Sequence, residues 1–222
     1  MQRSPIFLAS KSPRRRELLS GLGYEVCVLA DTTAHRGYFP GDEEVLANES
    51  PEAYVFRTAR EKFEEGLELR ARLYTQAEFD RCPIVAADTV VSLDGEILGK
   101  PKDAEEAVRF LECLSGRTHE VRTCVWAGTQ SERRHAVSLS FVSFRTLSRA
   151  ETMGYVATGE PFDKAGGYGI QGLAGVFIER IEGSFTGIMG LPVCETTALL
   201  AVLGAPVPAL ATLGGQAAGG RC

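Results

Sequence analysis

The chain opens on an apolar run, Pro5 to Ala9, which breaks at two serines and a proline and resumes as Leu18 and Leu19 before Gly21 and Gly23. This pattern predicts a buried strand and a short helix, with Ser12 as N-cap and Pro13 preset for the first helical position. Tyr24 to Leu29 reads as a second strand, and the polar stretch from Asp31 to Asn48 as a loop. Ser50-Pro51 opens a long helix with Ala53, Phe56, Ala59, Phe63 and Leu67 at helical spacing, and the charged residues Glu64 to Arg81 read as its lengthening and the connection that follows. Pro83 to Ala87 is a compact apolar strand ending in Asp88-Thr89, after which Val90 to Leu93 stays apolar up to the turn Asp94-Gly95. Asp103 and Glu106 have capping-box spacing ahead of a helix that stops at Ser115-Gly116.

His119 to Trp126 and Ala136 to Leu147 are β-prone around a polar turn and predict a hairpin of long strands. Ser148 and Glu151 mark a second capping box, for a short helix ending at Gly159. Glycines then crowd the chain, and Val176 to Ile181 is again β-prone. Pro192 starts a final helix whose buried side is expected at Val193, Thr196, Thr197, Leu200 and Leu203. The segment from Gly204 onward is Ala-, Gly- and Pro-rich with almost no charge, so residues 1–204 are expected to form one domain with two lobes and 205–222 a flexible tail.

At 222 residues the chain can bury a substantial core, and a formal charge of −5 argues against a nucleic-acid surface. The six cysteines include no C-x-x-C pair, and the three histidines do not join them at zinc spacing, so reduced thiols are expected. No apolar span is long enough for a bilayer, which argues against a membrane partner and for a cytosolic protein.

Candidate chemistry begins at the first helix. Its N-terminus would offer free N–H groups to an anion, with Ser10, Ser12, Arg14 and Arg15 adding hydroxyl and guanidinium donors. Three adjacent arginines also fit a solvated face, but in a first turn they oppose the helix dipole, and a bound phosphate would remove that cost. Asp88, at the expected carboxyl end of a buried strand, stands where an α/β sheet places its chemistry, with Thr89 beside it and Lys100 one hairpin away. Gly95-x-x-x-Gly99-Lys100-Pro101 lacks one spacer and the hydroxyl residue of a P-loop, so Lys100 is left as a point charge for phosphate. Lys62 reads, by pattern alone, as the polar side of its helix.

Gly167-Tyr168-Gly169-Ile170-Gln171-Gly172 matches G-x-G-x-x-G, but a loop precedes it and a β-prone run follows, the reverse of a dinucleotide fingerprint. It is better read as a loop whose backbone turns tightly or approaches a ligand; Lys164 and Gln171 fit either ordinary polar residues of a glycine-rich surface loop or a cation for phosphate and an amide able to pair with a base edge. No Ser-His or Cys-His pair accompanies these groups, which fits metal-assisted attack by water on a phosphate.

Three stretches carry a family resemblance: LASKSPRRRELL, VAADTVVSLDGEILGKPKDAEEA and GEPFDKAGGYGIQGLAGVFIERIEGSFTGIMGLP. Together they resemble the Maf family, nucleoside triphosphate pyrophosphatases once described as septum-formation inhibitors. The resemblance implies an α/β fold, a mixed sheet flanked by helices with a cleft between two lobes, usually as a homodimer. It implies hydrolysis of a nucleoside triphosphate between the α and β phosphorus atoms, with Asp88 as general base or as ligand to Mg²⁺ or Mn²⁺. Ala59-Arg60-Glu61-Lys62 is similar to the family's A-x-E-K element, which makes Lys62 a phosphate contact beside Arg14, Lys100 and Lys164. The family's acidic pair after the second strand is altered to Asp31-Thr32-Thr33, leaving Asp31 as the nearest second metal ligand. Arg14, Thr89 and Gln171 together resemble the branch acting on dTTP, UTP and modified pyrimidine triphosphates. The rival reading, a nucleotide-sensing regulator of cell division without turnover, draws on the same altered acidic element.

Overall fold

A computed structural model describes residues 5–29 and 44–210. A mixed seven-stranded sheet runs in the order β2 (Val26–Val28), β1 (Ile6–Leu8), β3 (Ile84–Leu93), β5 (Thr118–Gly128), β6 (Arg133–Phe144) and β7 (Ile178–Glu182), with β4 (Glu96–Leu98) paired to β3 off that path. β1 lies parallel to β2 and β3; the other pairings are antiparallel.

Alternation along the strands separates three cores. On one face the long helix α2 (Pro51–Leu73) buries Ala59, Phe63 and Leu67 against Phe7, Ile84, Ala86, Val90 and Trp126. The opposite face holds two packing centres. In one, α1 (Pro13–Gly21) and α6 (Val193–Val202) bring Leu19 and Leu200 onto Leu8, Val85, Ala87 and Val125. In the other, α3 (Ala104–Leu114) and α4 (Arg149–Ala157) bring Phe110, Leu111 and Tyr155 onto Val91, Val121, Val142 and Phe144. β3 and β5 pass through both centres, and where they cross from one to the other their side chains on that face are Thr89 and Thr123, directly opposite each other.

The ladder is interrupted along one edge of β3. β1 pairs with β3 at Phe7–Ile84 and Leu8–Val85, and β4 meets the same edge from Val91–Leu98 onward. Residues 86–90 therefore have a strand neighbour on one side only, in β5.

Several expectations shift. Asp88 does not end its strand: β3 continues to Leu93, because its pairing with β5 runs unbroken past Asp88 while the neighbour that stops is β1. Ser12 precedes α1 with extended backbone, but its side chain makes no cap bond, and its amide donates to Ser10 Oγ at 3.2 Å. The buried face of α2 is rotated from the expected stripe: Ala53 is exposed, whereas Thr58 and Gly66 are buried. A Cβ on Gly66 would lie 2.7 Å from Ala9 Cβ, so the helix sits close on the sheet there. In the box before α3, Asp103 accepts from the Glu106 amide at 2.8 Å, but Glu106 accepts from the amide of Lys102, not of Asp103. Ser148 and Glu151 form the full reciprocal box. The strand expected from Val176 begins at Ile178, since 173–177 first makes a tight 3-10 turn. Residues 205–210 do not behave as a free tail: Tyr24 Oη donates to the Ala205 carbonyl at 3.0 Å, and the Ala209 amide donates to the Leu22 carbonyl at 3.2 Å. The five described cysteines are unbridged.

The core beneath α3 and α4 encloses a polar pair. His119, 1% exposed, has Nε2 2.7 Å from Tyr168 Oη, its ring set edge-on to Phe144 and Tyr168, and its Nδ1 without a partner among the described residues. Burial disfavours the imidazolium and pushes the His119 pKa down from 6.5 to about 4. The unfolded chain takes up this proton below pH 6.5 and the folded chain does not, so the contribution is complete above 6.5 and is lost as pH falls toward 4. Urea titrations should register a loss of ~3 kcal/mol across that window in the native chain, absent from His119→Gln. An equal loss in both would locate the acid sensitivity elsewhere.

Candidate active site

The polar gap between the two packing centres opens into a cavity of about 600 Å³, ordinary for a site that takes a small molecule. Ser10, Ser12, Arg14, Arg15, Lys62, Asp88, Thr89, Lys100, Lys164 and Gln171 all line it. Asp31 lies outside the described residues.

The three arginines take different directions. Arg16 is exposed and Arg14 partly exposed at the cavity wall. Arg15, 9% exposed, turns inward: Nε donates to the Gly190 carbonyl at 2.7 Å, one terminal nitrogen to Ser10 Oγ at 3.0 Å, and the other to Thr89 Oγ1 at 3.4 Å. Arg15 thus ties the loop before α1 to β3 and to the turn after α5 (Phe185–Ile188), a use the arginine run did not disclose.

Counting protons gives the hydroxyls their roles. Thr123 Oγ1 donates to the Gly187 carbonyl at 2.7 Å, so in the 2.9 Å contact between the two threonines Thr89 is the donor. Thr89, already accepting from Arg15, keeps only acceptor capacity for a ligand. Ser10 is the converse. Its oxygen accepts from the Ser12 amide and from Arg15, leaving its own O–H to donate into the cavity.

Asp88 shares the α2 face of β3 with Ala86 and Val90 and is held from α2. Lys62 Nζ donates to Oδ1 at 2.9 Å, and Thr58 Oγ1 to Oδ2 at 2.5 Å. The side chains of Lys62 and Asp88 are 12% and 14% exposed, so the pair is shielded enough to orient both partners. Thr58 escaped the sequence reading because a threonine among apolar helix positions carries no motif; its place on the inner face of α2, opposite β3, is what gives it a role.

The glycine loop meets the cavity from the other centre. The Gly166 amide donates to the Gly99 carbonyl at 3.0 Å, docking the loop beside Lys100. Lys164 Nζ donates to the Glu160 carbonyl at 2.8 Å and pairs with Asp163. Burial pushes the Asp163 carboxyl up, but the hydrogen bond and charge of Lys164, joined by the charge of Arg14, outweigh it and hold the group below its ordinary range. The glycines of the G-x-G-x-x-G match have a local cause. A Cβ on Gly169 would lie 2.9 Å from Lys164 Cδ, and one on Gly172 would lie 2.0 Å from Glu160 Oε1. Glu160 and Asp163 line the cavity and were not anticipated, since carboxylates next to a phosphate site oppose the charge argument that found the cations.

Among the described residues no group of three or more His, Cys, Asp or Glu side chains could cage a metal ion. A single oriented carboxylate facing the cavity does fit a magnesium-type ion, which binds through one or two carboxylates and otherwise through substrate phosphates and water.

Cations from α1, α2, the residues after β4 and the glycine loop line one cavity together with Asp88, Glu160 and Asp163 on a mixed α/β scaffold. Residues 5–203 match the family described as Maf-like protein, and the chain belongs to it. A "dTTP/UTP pyrophosphatase" of Chromobacterium violaceum is 48% identical over 203 residues, covering 91% of this chain and 96% of that protein. A relative of the same name from Cupriavidus metallidurans is 49% identical, covering 89% and 96%, and a "Nucleoside triphosphate pyrophosphatase" of Haemophilus ducreyi is 48% identical, covering 88% and 93%. Among solved structures, the Staphylococcus aureus Ham1 protein aligns over 63% of this chain and 71% of its own at 16% identity, with a TM-score of 0.40, a likeness too distant to add to the assignment.

The neighbours Arg14 and Arg15 should separate cleanly on mutation. Arg15→Ala leaves the Gly190 carbonyl and Thr89 without their guanidinium donor and Ser10 with the Ser12 amide alone, and should cost ~3 kcal/mol or more in urea unfolding. Arg14→Ala should stay within ~0.5 kcal/mol of the native chain while weakening binding of a triphosphate. Equal stability of the two variants would contradict the inward clamp.

Proposed function

We propose that this chain is a nucleoside triphosphate pyrophosphatase that takes dTTP, UTP and modified pyrimidine triphosphates, and so clears nucleotide pools. The observation that carries the reading is the convergence of Arg14, Lys62, Lys100 and Lys164 on the cavity that Asp88 also faces. Water attacks a phosphorus of the α–β bridge, and the products are the nucleoside monophosphate and pyrophosphate. Asp88, fixed by Thr58 and Lys62, accepts the proton of that water. The four cations, with the Ser10 O–H, neutralise the triphosphate and the departing pyrophosphate. In the alternative role Asp88, with Asp31, would hold Mg²⁺ or Mn²⁺ in place of acting as the base, and the ion would supply Lewis-acid neutralisation of phosphate charge.

Base choice falls to Gln171, which stands exposed at the cavity rim. Its amide carries a donor and an acceptor, matching adjacent groups on the uracil or thymine edge. No helix among the described residues is long and apolar enough to cross a membrane. We expect a homodimer that acts on free nucleotides of the cytosol.

Incubation of the purified protein with dTTP and Mg²⁺ should release pyrophosphate, whereas tight binding without release would favour the nucleotide-sensing regulator. Asp88→Asn keeps the shape and removes the charge, so turnover should fall ~10²-fold or more with the fold intact. Near-normal turnover in that variant would dismiss Asp88 as the working carboxylate. Asp31→Ala should raise the Mg²⁺ concentration for half-maximal activity; an unchanged titration would take the metal away from Asp31.

A further inference from the structure

The Glu160 carboxylate has no part in the proposed phosphate chemistry, yet the residue touches the glycine loop at both ends. Its backbone carbonyl accepts from Lys164 Nζ at 2.8 Å, where the loop begins. Its carboxylate accepts from the Leu173 amide at 2.9 Å, two residues past Gln171, and from Tyr155 Oη at 3.0 Å. Gly172 lies against the same carboxylate so closely that any side chain there would occupy the position of Oε1. Burial, then the charge of Glu160 and the hydrogen bond to it, push the Tyr155 phenol above its ordinary range, so it remains a donor at any pH the fold survives. Tyr155 is 5% exposed in the core under α4. The carboxylate therefore links a rigid core side chain to the backbone next to an exposed glutamine that has few other constraints.

We propose that Glu160 is a positioning residue for base discrimination: it fixes the 169–173 backbone, and through it the direction in which Gln171 presents its amide. This rests on the reading of Gln171 as the base contact. An amide side chain sees uracil or thymine correctly only in one orientation, and a loop free to rotate would present it in several, lowering affinity for the matching edge more than for a base it does not fit. The glycines at 169 and 172 serve the same end, since they let the Lys164 stem and the Glu160 carboxylate close on the loop from either side.

The test uses the full chain with two Glu160 variants, a Gln171→Ala background and two readouts. Glu160→Ala removes both carboxylate contacts. Glu160→Gln keeps the acceptor for the Leu173 amide, while its NH₂ can meet Tyr155 Oη only with that bond reversed, so the anchor on the loop survives and the one on Tyr155 is weakened. The ratio of kcat/KM for dTTP to that for GTP should fall about tenfold in Glu160→Ala and recover in Glu160→Gln. In a Gln171→Ala background the further loss from Glu160→Ala should vanish, because the two act as one unit; additive losses would overturn the proposal. Hydrogen exchange at the Leu173 amide is the second readout, expected to quicken in Glu160→Ala only, and equal protection in all variants would also overturn it. If Gln171→Ala leaves the dTTP to GTP ratio unaltered while Leu173 exchange responds as expected, the base-contact reading is what fails, and with it the specificity role, leaving a clamp on the loop.

Discussion

Between the end of β1 at Leu8 and the first pair of β4 at Val91, β3 runs with a partner on one side only. A fully paired strand would have closed this edge; here the missing neighbour lets the cavity extend past β3 to Asp88 and Lys62 on the α2 face. The segment that follows β1 carries Ser10 and Ser12 in its loop and Arg14 and Arg15 in the first turn of α1, so the same departure of the chain opens the cavity and furnishes one of its walls. The two packing centres on the sheet's other face keep that opening fixed, because β3 and β5 are anchored in both.

Polar groups in such a gap must be satisfied internally or by a ligand, and the pattern of satisfaction is directional. Arg15 donates to Ser10 and Thr89, Thr89 to Thr123, and Thr123 to the Gly187 carbonyl. What is left over is a hydroxyl donor at Ser10 and an acceptor at Thr89, set by proton count and not by residue type. Asp88 is treated similarly: Thr58 and Lys62 orient one donor each toward its two oxygens. A shielded ion pair is a weak source of stability, since desolvation offsets the attraction, but it restricts a carboxylate to one orientation. That restriction is what a catalytic carboxylate needs.

The glycine loop shows how close packing can counterfeit a motif. Gly169 and Gly172 stand at dinucleotide-fingerprint spacing, but the structure uses them to admit the Lys164 stem and the Glu160 carboxylate. Backbone proximity to a side chain and backbone proximity to a pyrophosphate demand the same residue, so letters alone do not separate them.

Most elements and the identity of the cations were legible in the chain before it folds. Hydrophobic periodicity located α2, the β5–β6 hairpin and both capping-box helices, and charge in unusual places picked out Arg14, Lys100 and Lys164, because these signals are local, whereas Lys62 read as the polar side of its helix until the family resemblance gave it a role. Local signals also misled where their meaning depended on a neighbour. Asp88 read as a strand end, since no sequence feature tells that β3 keeps β5 after losing β1. Arg15 read as one more phosphate donor, Thr58 as filler on a helix, and Glu160 not at all. Each is defined by a contact with a residue 30 or 175 positions away, or by the fold of a glycine loop around it. Their roles came only with the folded chain, because a hydrogen-bond partner is a fact of geometry, and geometry across such separations is set by packing, which no single stretch of chain contains.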